Sequence, residues 1–295
     1  MASLKDIKRK IKSVKGTQKT THAMKLVSSA KLKRAEELAK RSKTYAQKIT
    51  EMIDEIALQI SKHNDVSDNI YFRKVEKPAT VDIVFVTADK GLCGGFNSQT
   101  LKAVNQLMEE WSAKGAKVRL RAIGKKGIAY YRFNQQEMLD EIEGLSASPS
   151  YEEAAKFIRS CVNDYIEGKT DKVIVVHNGY VNMITQEIRI DHLVPVDPST
   201  LPQEAQPSSS ELELEPDDDD TLLEALVHRY LEYVMYYALI DSLAAEHGAR
   251  MQAMDAATTN AKEMVKSLTV QYNKARQEAI TTELIEIISG VEALK

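Results

Sequence analysis

The sequence predicts an α/β protein with a long coiled coil: N- and C-terminal helices form an antiparallel pair flanking a central Rossmann-like mixed-sheet domain. Three observations carry this expectation. Both ends are long Pro-free stretches with apolar or small residues at heptad spacing, and between them short apolar runs alternate with amphipathic stretches.

Residues 3 to about 60 hold one glycine, Gly16, and no proline. Ile7, Ile11, Val14, Thr21, Met24, Ser28, Ala35 and Leu38 follow a heptad seam. At 1.5 Å per residue such a helix is about 85 Å long and needs something to lie against. Thr221 to about Ser289 is likewise free of proline, with Gly248 alone, and its seam runs through Met254, Ala257, Ala261, Met264, Leu268, Gln271 or Tyr272, Ala275 and Ala279. Small seam residues let two helices approach closely, so an antiparallel pair closed through the middle is the economical arrangement and an elongated molecule the expectation. An intermolecular coiled coil is the competing one.

In the middle, residues 81–87, 118–123, 172–177 and 185–196 read as strands, and 98–113, 125–133 and 150–167 as helices. That order implies a partly parallel sheet with right-handed crossovers. Residues 198–210, with three prolines and four serines, read as a surface loop. Glu211 to Glu215 alternates as an edge strand does, Pro216 stops it, and Asp217 to Asp220 cap the last helix. The expected domains are 1–60 with 221–295 for the coiled coil and 75–220 for the α/β unit.

The 295 residues, 43% hydrophobic and 28% charged, form an ordinary globular composition, and the net charge is −3. The balance is uneven along the chain. Lys5 to Lys48 carries 15 Lys and Arg against three acids, whereas Gln203 to Val227 carries nine acids and no base. No stretch approaches the roughly 18 apolar residues of a membrane span, and the first ten residues lack an apolar signal region. Cys93 and Cys161 form no CxxC pair; packed thiols in a reducing compartment are expected.

Chemistry-bearing patterns are few. The loop Thr87-Ala-Asp-Lys-Gly-Leu-Cys-Gly-Gly-Phe-Asn97 follows a strand and precedes a helix, where phosphate-binding loops sit, but its glycine spacing fits neither GxGxxG nor GxxxxGK[ST]. A tight turn or a loop shaped for a protein partner fits it better. The six histidines lack metal-site spacing, and GxSxG is absent. The basic head has the charge density of a nucleic-acid arm, yet carries no aromatic before Tyr45 to stack bases. A solvated helix face, or a helix inside an acidic protein sleeve, also accounts for it. Near the C-terminus Leu284, Ile285, Ile287, Ile288, Val291 and Leu294 cover about half the helical circumference, more than one partner helix buries. The last helix is also the longer, so an apolar tip should project as an interaction site.

Three segments in order resemble the gamma subunits of F-type ATP synthases: Ile11-Lys-Ser-Val-Lys-Gly-Thr-Gln-Lys-Thr-Thr-His-Ala-Met-Lys-Leu-Val27, the loop 87–97, and Ala249 to Ala261 with Tyr272 to Gly290. The resemblance spans the whole chain. It implies a non-catalytic rotor shaft without cofactor, one copy within a hexamer of three alpha and three beta subunits. The foot would rest on a c-subunit ring beside an epsilon subunit. Association with the cytoplasmic face of a bacterial inner membrane would come only through these partners, in a proton-translocating complex. It further implies hexamer contacts at Met24, Lys90, Gly91, Leu92, Arg250, Arg276, Gln277 and Thr281, joined by the tip residues Leu284, Ile287, Ile288 and Val291, and a ring or epsilon contact at Glu215. A nucleic-acid-binding coiled-coil protein is the rival class.

Overall fold

The computed structural model describes residues 3–60, 70–72, 75, 77–196 and 219–292. Its elements are α1 (Leu4–Ile60), β1 (Thr80–Val86), α2 (Phe96–Ala113), β2 (Lys117–Ile123), α3 (Lys125–Phe133), β3 (Asp140–Ile142), α4 (Tyr151–Ile166), β4 (Lys172–Tyr180), β5 (Gln186–Val194) and α5 (Asp219–Glu292). The stretch expected as a surface loop, the ELELE edge strand and Glu215 lie outside the described residues. The chain divides into two compact units, Met1–Ser29 with Arg250–Lys295, and Ala30–Ala249.

In the larger unit a five-stranded mixed sheet runs in the order β3-β2-β1-β4-β5. β1 is parallel to β2 and β4, β2 is parallel to β3, and β4 and β5 are antiparallel. The period of two sorts the strands onto two faces. Val84, Val86, Ile123, Val173 and Val175 pack with Ile158 and Val162 of α4 and with Val227, Leu231, Met235 and Leu239 of α5. Ile83, Phe85, Leu120, Ala122, Ile174 and Val176 pack with Leu101 and Val104 of α2 and Ile128 of α3.

Two features of this unit depart from the sequence expectation. β3 has three residues, Asp-Glu-Ile, without the apolar run that marks a strand. The first part of α5 belongs to the sheet core rather than to a two-helix seam, and from Ala238 to Ala249 every residue is buried except half-buried Leu243. Gly248 falls where the chain approaches closely, since a Cβ there would lie 3.3 Å from Gln186 Nε2.

The sheet also holds a buried charge network. Asp82, fully buried, accepts from Arg119 Nε at 2.6 Å and Nη2 at 2.8 Å and from Arg121 Nε at 3.0 Å. Arg121, itself buried, donates further to Asp140 and Asp164 and, at 3.2 Å, to Ser160. Burial works to raise the Asp164 pKa, but Arg121, Lys169 and Arg119 hold its carboxyl below the usual range. The cross-strand registers Asp82 opposite Arg119 and Arg121 opposite Asp140 put these charges together.

Candidate functional site

In the smaller unit the beginning of α1 lies antiparallel to the end of α5. Thr21 Oγ1 is 2.8 Å from Thr258 Oγ1, and Lys25 Nζ is 2.7 Å from Asp255 Oδ1, one number rising as the other falls. Ile7, Thr21 and Ser28 are buried on α1, with Ile11, Val14 and Met24 half-buried between them. Across from them Met251, Met254 and Ala261 are buried, and Ala257, Val265, Leu268, Tyr272 and Ala275 half-buried. Val265 takes the seam position expected of Met264, which is 55% exposed, and Ala279 is exposed. A 4-3 alternation from Met254 selects Val265; the expected gap of three from Ala261 to Met264 slips off that stripe. The same slip affects α1 further along, in the larger unit, where half-buried Ala39 takes the position expected of Leu38, which is exposed.

Carried back to the start of α1, the Thr21–Thr258 register sets Leu4 opposite Ala275, and from Arg276 to Val291 every residue is exposed. Arg276, Gln277 and Thr281 stand at the start of this bare segment. Thr281 Oγ1 donates to the Gln277 carbonyl of its own helix at 2.9 Å, leaving the Arg276 and Gln277 side chains pointing to solvent. Ile280, Leu284, Ile285, Ile287, Ile288 and Val291 are 47–65% exposed, which is the exposure of a helix with no neighbour among the described residues. Leu26 and Val27, beside Met24, are also exposed, as is Val270. The sequence reading missed these three, although apolar residues off the heptad stripe were the available signal. Arg250 is 8% exposed, so little of its guanidinium reaches the surface.

Lys90, Gly91 and Leu92 belong to the larger unit, in the loop between β1 and α2. That loop is held by its own polar groups. Ala88 N donates to Asn97 Oδ1 at 2.9 Å and Asn97 Nδ2 to Cys93 Sγ at 3.2 Å. Asp89 accepts from the backbone of Lys125 and Gly144 and from Ser146 Oγ. Leu92, at φ 63°, and Gly94, at φ 58°, turn the chain so that Leu92 is 63% exposed. Asp89, the loop's only acid, is thus engaged in fixing neighbouring loops. The loop is braced from behind by Gly124, where φ is 102° and a Cβ would meet the Thr87 carbonyl oxygen at 1.9 Å. Both cysteines are buried, and burial pushes the Cys161 thiol up to about 12, which keeps it an unreactive packed group.

Among the described residues no helix is long and apolar enough to cross a membrane, and no cluster of His, Cys, Asp or Glu is placed to hold a metal. An α/β unit whose sheet charges pair with one another, together with a helix pair ending in an exposed apolar tip, fits a subunit that works through contact with other proteins. The comparisons with known proteins specify which. A family model described as ATP synthase matches residues 3–294. The ATP synthase gamma chain of a Sulfurovum species is 67% identical over 297 residues, and that of a Nitratiruptor species 62% over 296, each with complete coverage of both chains.

Solved structures agree on the fold. The central stalk and c-ring structure of the Tetrahymena thermophila mitochondrial ATP synthase matches with a TM-score of 0.61 at 21% identity, covering 81% of this chain and 99% of that one. The Euglena gracilis mitochondrial enzyme in rotational state 3 gives 0.58 at 18% identity, with coverage of 92% and 95%. The chain belongs to the ATP synthase gamma chain family. Its function is accordingly that of a rotor subunit, non-catalytic in itself, with catalysis residing in the complex. It is a peripheral part of a membrane-bound assembly.

Proposed function

We propose that the chain transmits torque between a membrane-embedded ring of c subunits and a hexamer of three alpha and three beta subunits, one copy per hexamer. The coupling ion in this reading is the proton, and the assembly sits on the cytoplasmic face of a bacterial inner membrane. The helix-pair unit is the shaft and the α/β unit the foot, which meets the ring and an epsilon subunit around Glu215. The observation that carries the reading is the bare apolar helix from Ile280 to Val291. A surface that turns inside a sleeve cannot keep fixed complementary partners, and exposed Leu, Ile and Val offer attraction without direction.

Arg276 and Gln277 act differently from the tip. Both are exposed and carry directional donors, while Thr281 is bonded to its own helix, so they are suited to a transient catch on an acidic segment of a beta subunit. Met24 flanks the exposed Leu26 and Val27, and together they extend the bearing surface onto α1. Lys90, Gly91 and Leu92 form a second hexamer contact, with Leu92 as the protruding group, and Arg250 contributes only the edge its burial leaves open. The shaft is stiff because α5 runs for 74 residues without a proline and its seam is closed by small residues.

The catch is tested by Arg276→Ala with Gln277→Ala in the assembled complex. Loss of a charge-assisted bond and a neutral one should lower coupled turnover about tenfold or more while the complex still assembles. Unchanged ATP hydrolysis and unchanged ATP-driven proton pumping would remove these two residues from the mechanism.

A further inference from the structure

The larger unit contains a cleft that the rotor role does not use. Arg41 and Ser42 of α1, Tyr151 at the start of α4, and Arg229, Tyr233 and Tyr236 of α5 line an open cleft of about 410 Å³. Arg229 also lines an adjoining cavity of about 360 Å³, shared with Arg159, Asn163 and His228. Each volume is within the range of small-molecule sites.

The side chains converge by chemical type. The three tyrosine rings contact one another at centroid distances of 5.7 to 6.3 Å, with Tyr151 and Tyr236 edge to face at 86°. The Arg229 guanidinium lies 5.8 Å from the Tyr151 ring. Glu232, the carboxylate lining the adjoining cavity, accepts from Arg159 Nε at 2.5 Å and from Tyr151 Oη at 2.6 Å. Arg229 acts on Glu232 as well, and across the two cavities Arg41, Arg159 and Arg229 outnumber this one carboxylate. Aromatic faces beside guanidinium groups provide for two kinds of ligand surface at once, a flat π system and a phosphate.

We propose that this cleft binds a nucleoside phosphate, with the base against Tyr151, Tyr233 and Tyr236 and the phosphates on Arg41 and Arg229. The cleft lies entirely in the larger unit and away from the glycine-rich loop, so the proposal stands apart from any reading of residues 87–97. It makes the chain itself a receiver of nucleotide, separate from sites on other subunits.

The test is calorimetric titration of the full chain, free of other subunits, with ADP, adenosine and pyrophosphate as separate probes. ADP should bind at one site per chain, and adenosine and pyrophosphate should each bind about tenfold more weakly or worse, since each lacks half of the recognised surface. Arg41→Gln with Arg229→Gln should weaken ADP about tenfold with the thermal melt unchanged, and independently Tyr236→Ala should weaken ADP about tenfold, with a lower melt because its ring also packs against the core. Arg41 is exposed, so Arg41→Gln alone keeps the test valid if the Arg229 change disturbs Glu232. No saturable heat up to about 5 mM ADP, a ceiling already weaker than ordinary ligand affinities, would overturn the proposal. So would pyrophosphate binding as tightly as ADP, or binding abolished by Gly94→Asp and untouched by the cleft variants.

Discussion

Replacing Asp82 by alanine probes the most deeply buried charge in the sheet. The carboxylate is fully buried and receives three bonds, two from Arg119 and one from Arg121. Arg121 is 1% exposed. Removing one partner of such a buried ion pair leaves the other charge without compensation, a loss of about 3–5 kcal/mol. Asp164 and Asp140 still reach Arg121, and Asp164 still reaches Arg119 at 3.2 Å, which places the expected value at the lower end. For a unit of this size each kcal/mol moves the melting temperature by about 2–4 °C, so Asp82→Ala should melt roughly 6–12 °C below the parent. Arg121→Met leaves Asp82 bonded to Arg119 but takes a partner from Asp82, Asp140 and Asp164 at once, and should cost a comparable amount. Calorimetry and urea unfolding of the full chain read both values. A loss below about 1 kcal/mol for Asp82→Ala would show that the network is solvated and that the buried pairing is not what holds β1, β2 and α4 together.

Other perturbations test neighbouring parts of the account. Gly124→Ala should destabilise by more than about 2 kcal/mol in urea unfolding, because it combines a positive φ with a clash against the Thr87 carbonyl. Burial works to raise the Glu232 pKa, but its bonds from Arg159 and Tyr151 hold the folded carboxyl below its ordinary value of 4.5. The unfolded chain therefore binds the proton first, so this stabilisation is complete above that value and fades as pH falls below it. Stability measured down to about pH 3 should fall less steeply in Arg159→Gln than in the parent. Ile285→Gln with Ile288→Gln alters exposed positions only, and the melting temperature should shift by less than about 2 °C.

The heptad reading of the sequence located the helix pair and the bare tip because both depend on local periodicity, which a long uninterrupted helix preserves. It failed where a choice between adjacent residues depends on the partner's register: Val265 rather than Met264, and Ala39 rather than Leu38. The sheet was legible wherever strands are apolar runs, as in VDIVFV. β3 escaped because an edge strand of three residues needs only its backbone pairing with β2, bounded by the bonds from Leu139 N to the Leu120 carbonyl and from Gly124 N to the Ile142 carbonyl, not an apolar face. The inclusion of Val227 to Leu239 in the sheet core was also hidden, since a wide apolar stripe serves a sheet face or a helix partner equally well. The Asp82 network had a visible trace, one acid in an apolar strand and Arg-Leu-Arg in the next. Only the cross-strand register, however, brings these charges onto one face. Exposed Leu26 and Val27 lay off the seam and could have been noted on the same grounds as the tip.

Single-molecule rotation decides whether this chain turns as a shaft within a hexamer. The chain is assembled with alpha and beta subunits, the hexamer is fixed to a surface, and a bead is attached to the α/β unit through an engineered cysteine at the exposed residue Phe133. On addition of ATP the bead should rotate in one direction, with one chain per hexamer, and stop when ATP is withdrawn. A hexamer that hydrolyses ATP with the chain bound while the bead stays still, or one that does not take up the chain at all, would contradict the account.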